Sequence, residues 1–283
     1  MARFTNFATL SYTGGTTDSN TVVGELVQTL SAVKTAVGTS YEPRGDVTYV
    51  LSLVNSGASA LTGLTVTDDL GGYAVGATTV YPLAYQADSL RYYVNGVLQA
   101  APAVTAGPPM TITGVSVPAG GSAVLVYRAA LTAYAPLGAE AEITNTASVS
   151  GVGLTSPLTA QAVIGMASRA SLGISKALSP STVTENGQLT YTFVIENSGS
   201  AAADAADAVT LTDTFDPRLS GIADTYNGTA WTAGTNYTYD ETTGVFTTLA
   251  GQITVPAATY TQSADGAWVT TPGTVTLTIT GTV

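Results

Sequence analysis

The chain has no histidine and no cysteine among its 283 residues. Their absence excludes imidazole acid–base chemistry, thiolate nucleophiles, disulfides, and metal centres built on sulfur or imidazole. A Ser-His-Asp set is excluded with them, and no P-loop or Gly-x-Gly-x-x-Gly fingerprint is present. Charge is scarce: 8 basic residues face 19 acidic ones, for a formal net charge of −11. Phosphate neutralisation needs clustered Lys and Arg, so neither nucleic acid nor an anionic membrane surface is expected as a partner. No apolar run approaches the roughly 18 residues that would span a bilayer. Arg3 is followed by Thr, Asn, Ser and Gly-Gly rather than an apolar stretch, so the first residues do not read as a secretory signal.

What is present is period-two alternation. Val47–Leu53, Leu64–Thr67, Ala123–Tyr127 and Leu189–Ile195 alternate apolar residues with Thr, Ser or Tyr. Thr suits a half-buried sheet because its branched Cβ favours extended backbone while its hydroxyl tolerates water. The segments are punctuated by Asn55-Ser56-Gly57, Asn95-Gly96, Asn186-Gly187, Asn197-Ser198-Gly199 and Asp265-Gly266. Asn95-Gly96 between two short apolar runs predicts a two-residue hairpin. Glu25–Val37 has loosely helical spacing, but its Thr and Val content favours an extended linker strand. Ala201–Ala208 reads as a short insertion rather than a full helix.

Two bodies can be laid over each other. Lys34 precedes Asn55 by the same interval as Lys176 precedes Asn197, and both stretches end in Asn-Ser-Gly. Leu64–Asp68 matches Val209–Asp213, Gly114–Ala119 matches Gly251–Ala257, and Ser122–Leu131 matches Gly273–Thr280. The expected fold is all-β: two tandem immunoglobulin-like Greek-key β-sandwiches preceded by an N-terminal donor hairpin. The divisions are 1–33 for the hairpin and linker, 34–165 for a complete first sandwich, and 166–283 for a second that lacks its closing hairpin. That phase is read from a duplicated motif. Phe4-Thr5-Asn6-Phe7-Ala8-Thr9-Leu10-Ser11 parallels Ile143-Thr144-Asn145-Thr146-Ala147-Ser148-Val149-Ser150, which closes the first body.

The motifs Ile-Ser-Lys, Gly-Gln-Leu-Thr-Tyr-Thr-Phe-Val-Ile-Glu-Asn-Ser-Gly, Val-Thr-Leu-Thr-Asp-Thr-Phe and Ile-Thr-Asn-Thr-Ala-Ser-Val resemble a bacterial and archaeal surface-protein repeat. That family is the domain of unknown function number eleven. The resemblance covers about 34–165 fully and 170–283 without the closing hairpin. It implies an immunoglobulin-like sandwich with a structural or adhesive role on a cell-envelope or secreted protein.

A sandwich without its last strands exposes a slot of core and unpaired backbone, which is a template for another strand. Residues 4–23 offer donor side chains: Phe4, Asn6, Phe7 or Ala8, Leu10 and Tyr12, with Val22 and Val23 on the return. The expected function is therefore a protomer of a surface or extracellular filament, joined head to tail into an open homopolymer, with a cell-surface anchor protein as a further partner. The alternative is an adhesin or carbohydrate-binding module acting as monomer or dimer. No cofactor, metal or enzymatic activity is expected.

One candidate chemistry stands beside this. Lys34 and Lys176, Asp68 and Asp213, and Asn145 and Asn6 are the ingredients of a spontaneous Lys–Asn amide crosslink, an isopeptide. The plainer expectation is that each lysine is solvated, each Asp caps a turn, and each Asn satisfies a turn or edge backbone. Asp68-Asp69 and the Asp204/Asp207 pair lack the dense acid alternation of a calcium loop. Trp231, Trp268, Tyr81, Tyr85, Tyr92 and Tyr93 are expected in core or rim rather than on a sugar platform.

Overall fold

The structure is a computed structural model that describes residues 2–283, and it is all-β with several sheets. The contacts divide it into two units. The first comprises the chain to Ala135 with Glu142–Gly165, and the second comprises Pro136–Ala141 with Met166–Val283.

In the first unit, one antiparallel sheet runs Val97–Gln99, Arg91–Val94, Ser122–Leu131, Asp46–Asn55 and Leu30–Ala36, with Leu83–Tyr85 also paired to Ser122–Leu131. The other runs Ala103–Thr105, Met110–Val117, Leu61–Asp68, Glu142–Ser150, Leu158–Met166 and Ser40–Tyr41. Alternation decides which face is buried: in Asp46–Asn55, residues Val47, Tyr49, Leu51, Leu53 and Asn55 are buried while their neighbours are not. Val66, Ile112, Val115, Ala147 and Val149 are buried on the second sheet. Tyr92 on the first sheet donates from its hydroxyl to the Ser116 carbonyl on the second at 2.6 Å, so the two sheets share one core. Gly114, at φ 89°, sits where the register of Met110–Val117 against Leu61–Asp68 shifts, a backbone conformation that a Cβ would strain. Asn95-Gly96 forms the expected hairpin, both residues at positive φ, with Val94 opposite Val97.

The stretch with helical spacing is extended. Leu30–Ala36 is an edge strand paired along Asp46–Asn55, and it crosses the boundary drawn at Lys34 from the sequence. Ahead of it, Ala2–Asn6 pairs with Val22–Leu26 and Thr9–Tyr12 with Gly15–Asp18. Both pairs stand as two-stranded ladders outside the larger sheets. Phe4, Phe7, Leu10, Tyr12, Val22 and Val23 are all exposed. The Phe4 ring lies across Gly24, its partner in the ladder, where a Cβ would have no room.

The second unit repeats the first sheet: Leu172–Ser179, Gln188–Asn197, Gly273–Thr282, Ser220–Tyr226 and Thr229–Ala230. Its core gathers Leu189, Tyr191, Phe193, Ile195, Phe215, Phe246, Leu277 and Ile279. The opposing sheet is reduced to Thr212–Thr214, Val245–Thr248 and Tyr237–Asp240. Here the sequence correspondence overreached: Val209–Asp213 matches Leu64–Asp68, yet only Thr212–Thr214 is strand. Leu61–Asp68 is paired along both edges, by Met110–Val117 and Glu142–Ser150, whereas Thr212–Thr214 pairs on one edge alone, with Val245–Thr248. Ala205–Asp207 is a single 3-10 turn, and Asp204 and Asp207 are spent on its reciprocal capping box.

Candidate functional site

The chain's only two lysines are Lys34 and Lys176, and both lie on the inward-facing register of a first-sheet strand. Leu30–Ala36 buries Leu30 and Lys34 while Ser31, Val33 and Thr35 point out. Lys34 is therefore carried into the core by strand alternation. Its Nζ donates to Asp68 Oδ2 at 2.7 Å, with Lys34 fully buried and Asp68 nearly so. Tyr127 also donates its hydroxyl to Asp68 Oδ2. The other carboxylate oxygen, Oδ1, accepts from the Leu70 amide at 3.0 Å. Lys34 Nζ sits 4.9 Å from the centre of the Tyr49 ring, which stacks on Tyr127.

Asn145 completes the cluster. It belongs to Glu142–Ser150, whose inward positions are Ile143, Asn145, Ala147 and Val149, all buried. Ala147 lies opposite Asp68 in the ladder, so Asn145 is the next inward residue along from the acid's partner. Neither amide atom of Asn145 nor the hydroxyl of Tyr49 meets hydrogen-bond geometry with a partner. An unpaired buried amide costs about 1–3 kcal/mol, so an asparagine kept here is unusual for a packing residue. Burial drives the Tyr49 and Tyr127 phenols well above their ordinary range, with the Asp68 charge pushing the same way and the Asn145 amide opposing. Burial also lowers Lys34 against the opposing pull of Asp68.

Two plainer expectations are corrected by this geometry. Lys34 is not solvated, and Asn145 satisfies neither a turn nor an edge. The reason is the same for both: each sits on the inward parity of a strand that the opposite sheet covers. The expectation for Asp68 survives in part, because it does cap the turn at Leu70. Chemically, the arrangement can pass the Lys34 proton to Asp68, leaving a neutral amine and a neutral acid in a site that disfavours charge. A neutral amine is a nucleophile, and the buried Asn145 carboxamide, two residues along its strand from the partner of Asp68, is an electrophile within the same core.

The second unit carries the same pair without its third member. Lys176 Nζ donates to Asp213 Oδ2, and Lys176 lies 4.4 Å from the Tyr191 ring, with Phe193 and Phe215 further out. Its side chain is 40% exposed, against 0% for Lys34. The strand face around it is open: Leu172 is 42% exposed where its counterpart Leu30 is 4% exposed, and Ile174 and Leu178 are exposed as well. Asn6 is on the N-terminal ladder, opposite Val22, as Asn145 is opposite Ala162. Phe4 opposite Gly24 repeats Ile143 opposite Ile164.

Several contributors escaped the sequence reading. Tyr49 and Tyr127 are part of the lysine site, and the exposed apolar residues Leu172, Ile174 and Leu178 could have been found by counting every second residue around Lys176. Asn55 and Asn197, read as turn residues, are buried ties: Asn55 Oδ1 accepts from the Gly57 amide, and its Nδ2 donates to the Ser59 and Pro118 carbonyls. Asn197 makes the same contacts with Gly199, Ala201 and Pro256. Among the aromatics, Tyr92 is buried, Tyr81, Tyr85, Tyr93 and Trp268 are half-buried, and Trp231 stacks on Tyr226 against the second core. Among the described residues, no group of three or more carboxylates is placed to hold a metal ion, and no helix is long and apolar enough to cross a membrane.

No family model matches the chain, and no curated protein matches it. The tie to the surface-protein repeat of unknown function therefore stays a resemblance of motifs. Among solved structures the chain is similar to BcpA, the major pilin subunit of Bacillus cereus, at 14% identity, with 96% of this chain and 73% of that one covered and a TM-score of 0.35. It is similar to the pilus backbone protein RrgB from Streptococcus pneumoniae at 11% identity, 83% and 53% coverage, and a TM-score of 0.32. ACE19, the collagen-binding subdomain of the Enterococcus faecalis surface protein ACE, matches at 10% identity, 49% and 99% coverage, and a TM-score of 0.31. At these scores the likeness is one of general all-β arrangement.

Proposed function

We propose that this chain is a structural, non-enzymatic protomer of a surface or extracellular filament. In this reading, the first unit is a complete immunoglobulin-like Greek-key sandwich and the second an acceptor. Residues 2–26 supply the donor hairpin, and the few residues between it and the edge strand Leu30–Ala36 its linker. The ladder Ala2–Asn6/Val22–Leu26 with Thr9–Tyr12 enters the second unit of another copy, beside Thr212–Thr214, as Glu142–Ser150 and Leu158–Met166 lie beside Leu61–Asp68 within the chain. The carrying observation is a matched pair of open surfaces: an inward-parity face of Leu172, Ile174, Lys176 and Leu178 exposed to solvent, and a hairpin whose Phe4, Leu10 and Val22 are more than half exposed. The unused edge of Thr212–Thr214 supplies the backbone partners. Donor and acceptor are different surfaces, so the contact is heterologous and repeats without closing unless the rotation happens to make a ring.

Electron microscopy of the full chain beside one lacking residues 2–24 tests this. Threads from the first and single particles from the second are expected, with a peptide of residues 2–24 stabilising the truncated chain. Monomers from both, or a full chain that stays monomeric because its hairpin docks into its own second unit, would overturn it.

A covalent lock within the first unit belongs to the same reading, because it makes the complete sandwich a permanent one. Lys34 Nζ attacks Asn145 Cγ, the Cγ–Nδ2 bond breaks, and ammonia leaves with a proton relayed by Asp68. The observation that favours it is the buried Asn145 amide without a hydrogen-bond partner, two residues along its strand from Ala147, which lies opposite Asp68, the acid that holds Lys34. The unfolded subunit should weigh about 17 Da less than its sequence, one ammonia, and Asp68→Ala should restore the full mass. A wild-type chain at full sequence mass would sink the lock.

A further inference from the structure

The lysine site of the second unit is built but incomplete, and its missing member is on the hairpin. We propose that the joint between copies is sealed by an amide bond from Lys176 Nζ to Asn6 Cγ, with Asp213 as the proton relay. The inference rests on the strand-insertion reading and adds chemistry to it.

Three observations carry it. First, the chain uses lysine at two positions only, and each Nζ is bound to an aspartate on the facing strand. Second, Lys176 lies against Tyr191, Phe193 and Phe215 yet its side chain is 40% exposed where that of Lys34 is 0% exposed, so the site lacks a cover that the first unit has. Third, the hairpin repeats the closing motif in sequence and pairs its asparagine strand likewise, up to a one-residue register shift between Asn6↔Val22 and Thr9↔Asp18 that the closing strands lack. Asn6 faces Val22 and Phe4 faces Gly24, as Asn145 faces Ala162 and Ile143 faces Ile164. Inserted at the register of the first unit, Ala8 lies opposite Asp213, as Ala147 lies opposite Asp68, and Asn6 becomes the next inward residue, beside Lys176.

Insertion is also the trigger. Before docking, the Lys176 side chain is 40% exposed to water. The arriving strand excludes that water, which favours transfer of the Nζ proton to Asp213 and leaves a neutral amine. The amine attacks Asn6 Cγ to give a tetrahedral adduct, and Asp213 gives its proton to Nδ2 and takes one from Nζ. The Cγ–Nδ2 bond breaks and ammonia departs. One C–N bond forms and one breaks, with no change of oxidation state and no co-reactant. The second unit has Ile279 facing Tyr191 where the first has Tyr127 facing Tyr49, so Asp213 lacks the phenol that steadies Asp68. That phenol orients the acid and takes no part in the bond changes.

The test uses full-length chains: wild type, Lys176→Arg and Asn6→Ala, each assembled, imaged, and then heated in detergent before gel electrophoresis and peptide mass analysis. Threads of wild type should survive as a ladder of multimers and yield a linked peptide pair containing Asn6 and Lys176, lighter than the sum by about 17 Da. Both variants should still form threads and fall to a single monomer band. Wild-type threads that collapse to monomer in hot detergent overturn the covalent joint and leave strand insertion standing, as does a ladder that persists in Asn6→Ala. Absence of threads in all three overturns the strand-insertion reading, and the joint with it.

Discussion

Replacing Phe4 and Leu10 by alanine should raise the concentration at which subunits assemble by roughly two to three orders of magnitude. These side chains are 54% and 65% exposed, while Ile143 and Val149, which hold the same places in the matching motif of the first unit, are 2% and 0% exposed. Docking therefore buries about half of each side chain's surface. Full burial of Phe or Leu contributes about 1.5–3 kcal/mol, so the surface newly covered accounts for about 2–3 kcal/mol over the two residues. Truncation in a closed joint leaves cavities whose lining loses contacts, which brings the total to about 3–5 kcal/mol. At about 1.4 kcal/mol per tenfold change, the critical concentration moves by the stated range. The measurement belongs in the Lys176→Arg background, where the joint stays reversible, with sedimentation read against protein concentration. Thr5→Ala, on the opposite parity of the same strand, is the control and should change little. If the double-alanine curve overlays its parent, those side chains are not buried at the joint and the proposed register is wrong.

Other consequences follow for the folded units. Asp224 is buried with both carboxylate oxygens unpartnered, and burial pushes its pKa up from 3.8 to about 7. The folded state then binds more protons than the unfolded one between those values, so the second unit should lose stability as pH rises through the window, by at most about 4 kcal/mol. Asp224→Asn should raise the melting temperature at pH 8, leave it unchanged near pH 4 and flatten the slope; a wild-type slope in the variant would refute the assignment. Asn55→Ala removes four hydrogen bonds and leaves the Gly57 amide and the Ser59, Val117 and Pro118 carbonyls without them. It should cost the first unit about 2–4 kcal/mol in chemical denaturation, with Asn197→Ala acting likewise on the second. Gly24→Ala should displace the Phe4 ring and slow assembly without altering the melting of the first unit, which circular dichroism and light scattering would separate.

Much of this was readable from the sequence, and the limits have a physical pattern. Alternation located Asp46–Asn55 and Gln188–Asn197 because one face of each strand meets a core, and Asn95-Gly96 fixed its hairpin because both residues tolerate positive φ. The duplicated Asn6 and Asn145 motifs were visible because they share a strand parity. The burial of Lys34 was not visible. Solvation is a property of what lies across the sheet, and a lone lysine among Leu, Ala and Val reads equally well as an edge-strand charge. Parity held the missed signal: Leu30 and Lys34 fall on one face, as do Tyr49 and Leu51, so a core-facing lysine was implied once Leu30 was assigned inward. Val209–Leu211 failed for the reverse reason. Its pattern is strand-like, but a strand needs partners along its edges, and this one has too few.

That failure bears on the function. A sequence that encodes a strand its own chain does not complete is in conflict between local preference and tertiary context, and such conflicts concentrate where a partner is needed. In the second unit the conflict has three expressions at one place: a shortened strand at Thr212–Thr214, an exposed apolar register at Leu172, Ile174 and Leu178, and a Lys176–Asp213 pair with no carboxamide. A carbohydrate or protein ligand bound as a guest could relieve the exposure, but it would not supply a strand edge, alternating apolar side chains and an amide at the lysine's register together. The hairpin at residues 2–26 carries a strand edge, alternating apolar side chains and the Asn6 amide together, which is why we propose a second copy of this chain as the occupant.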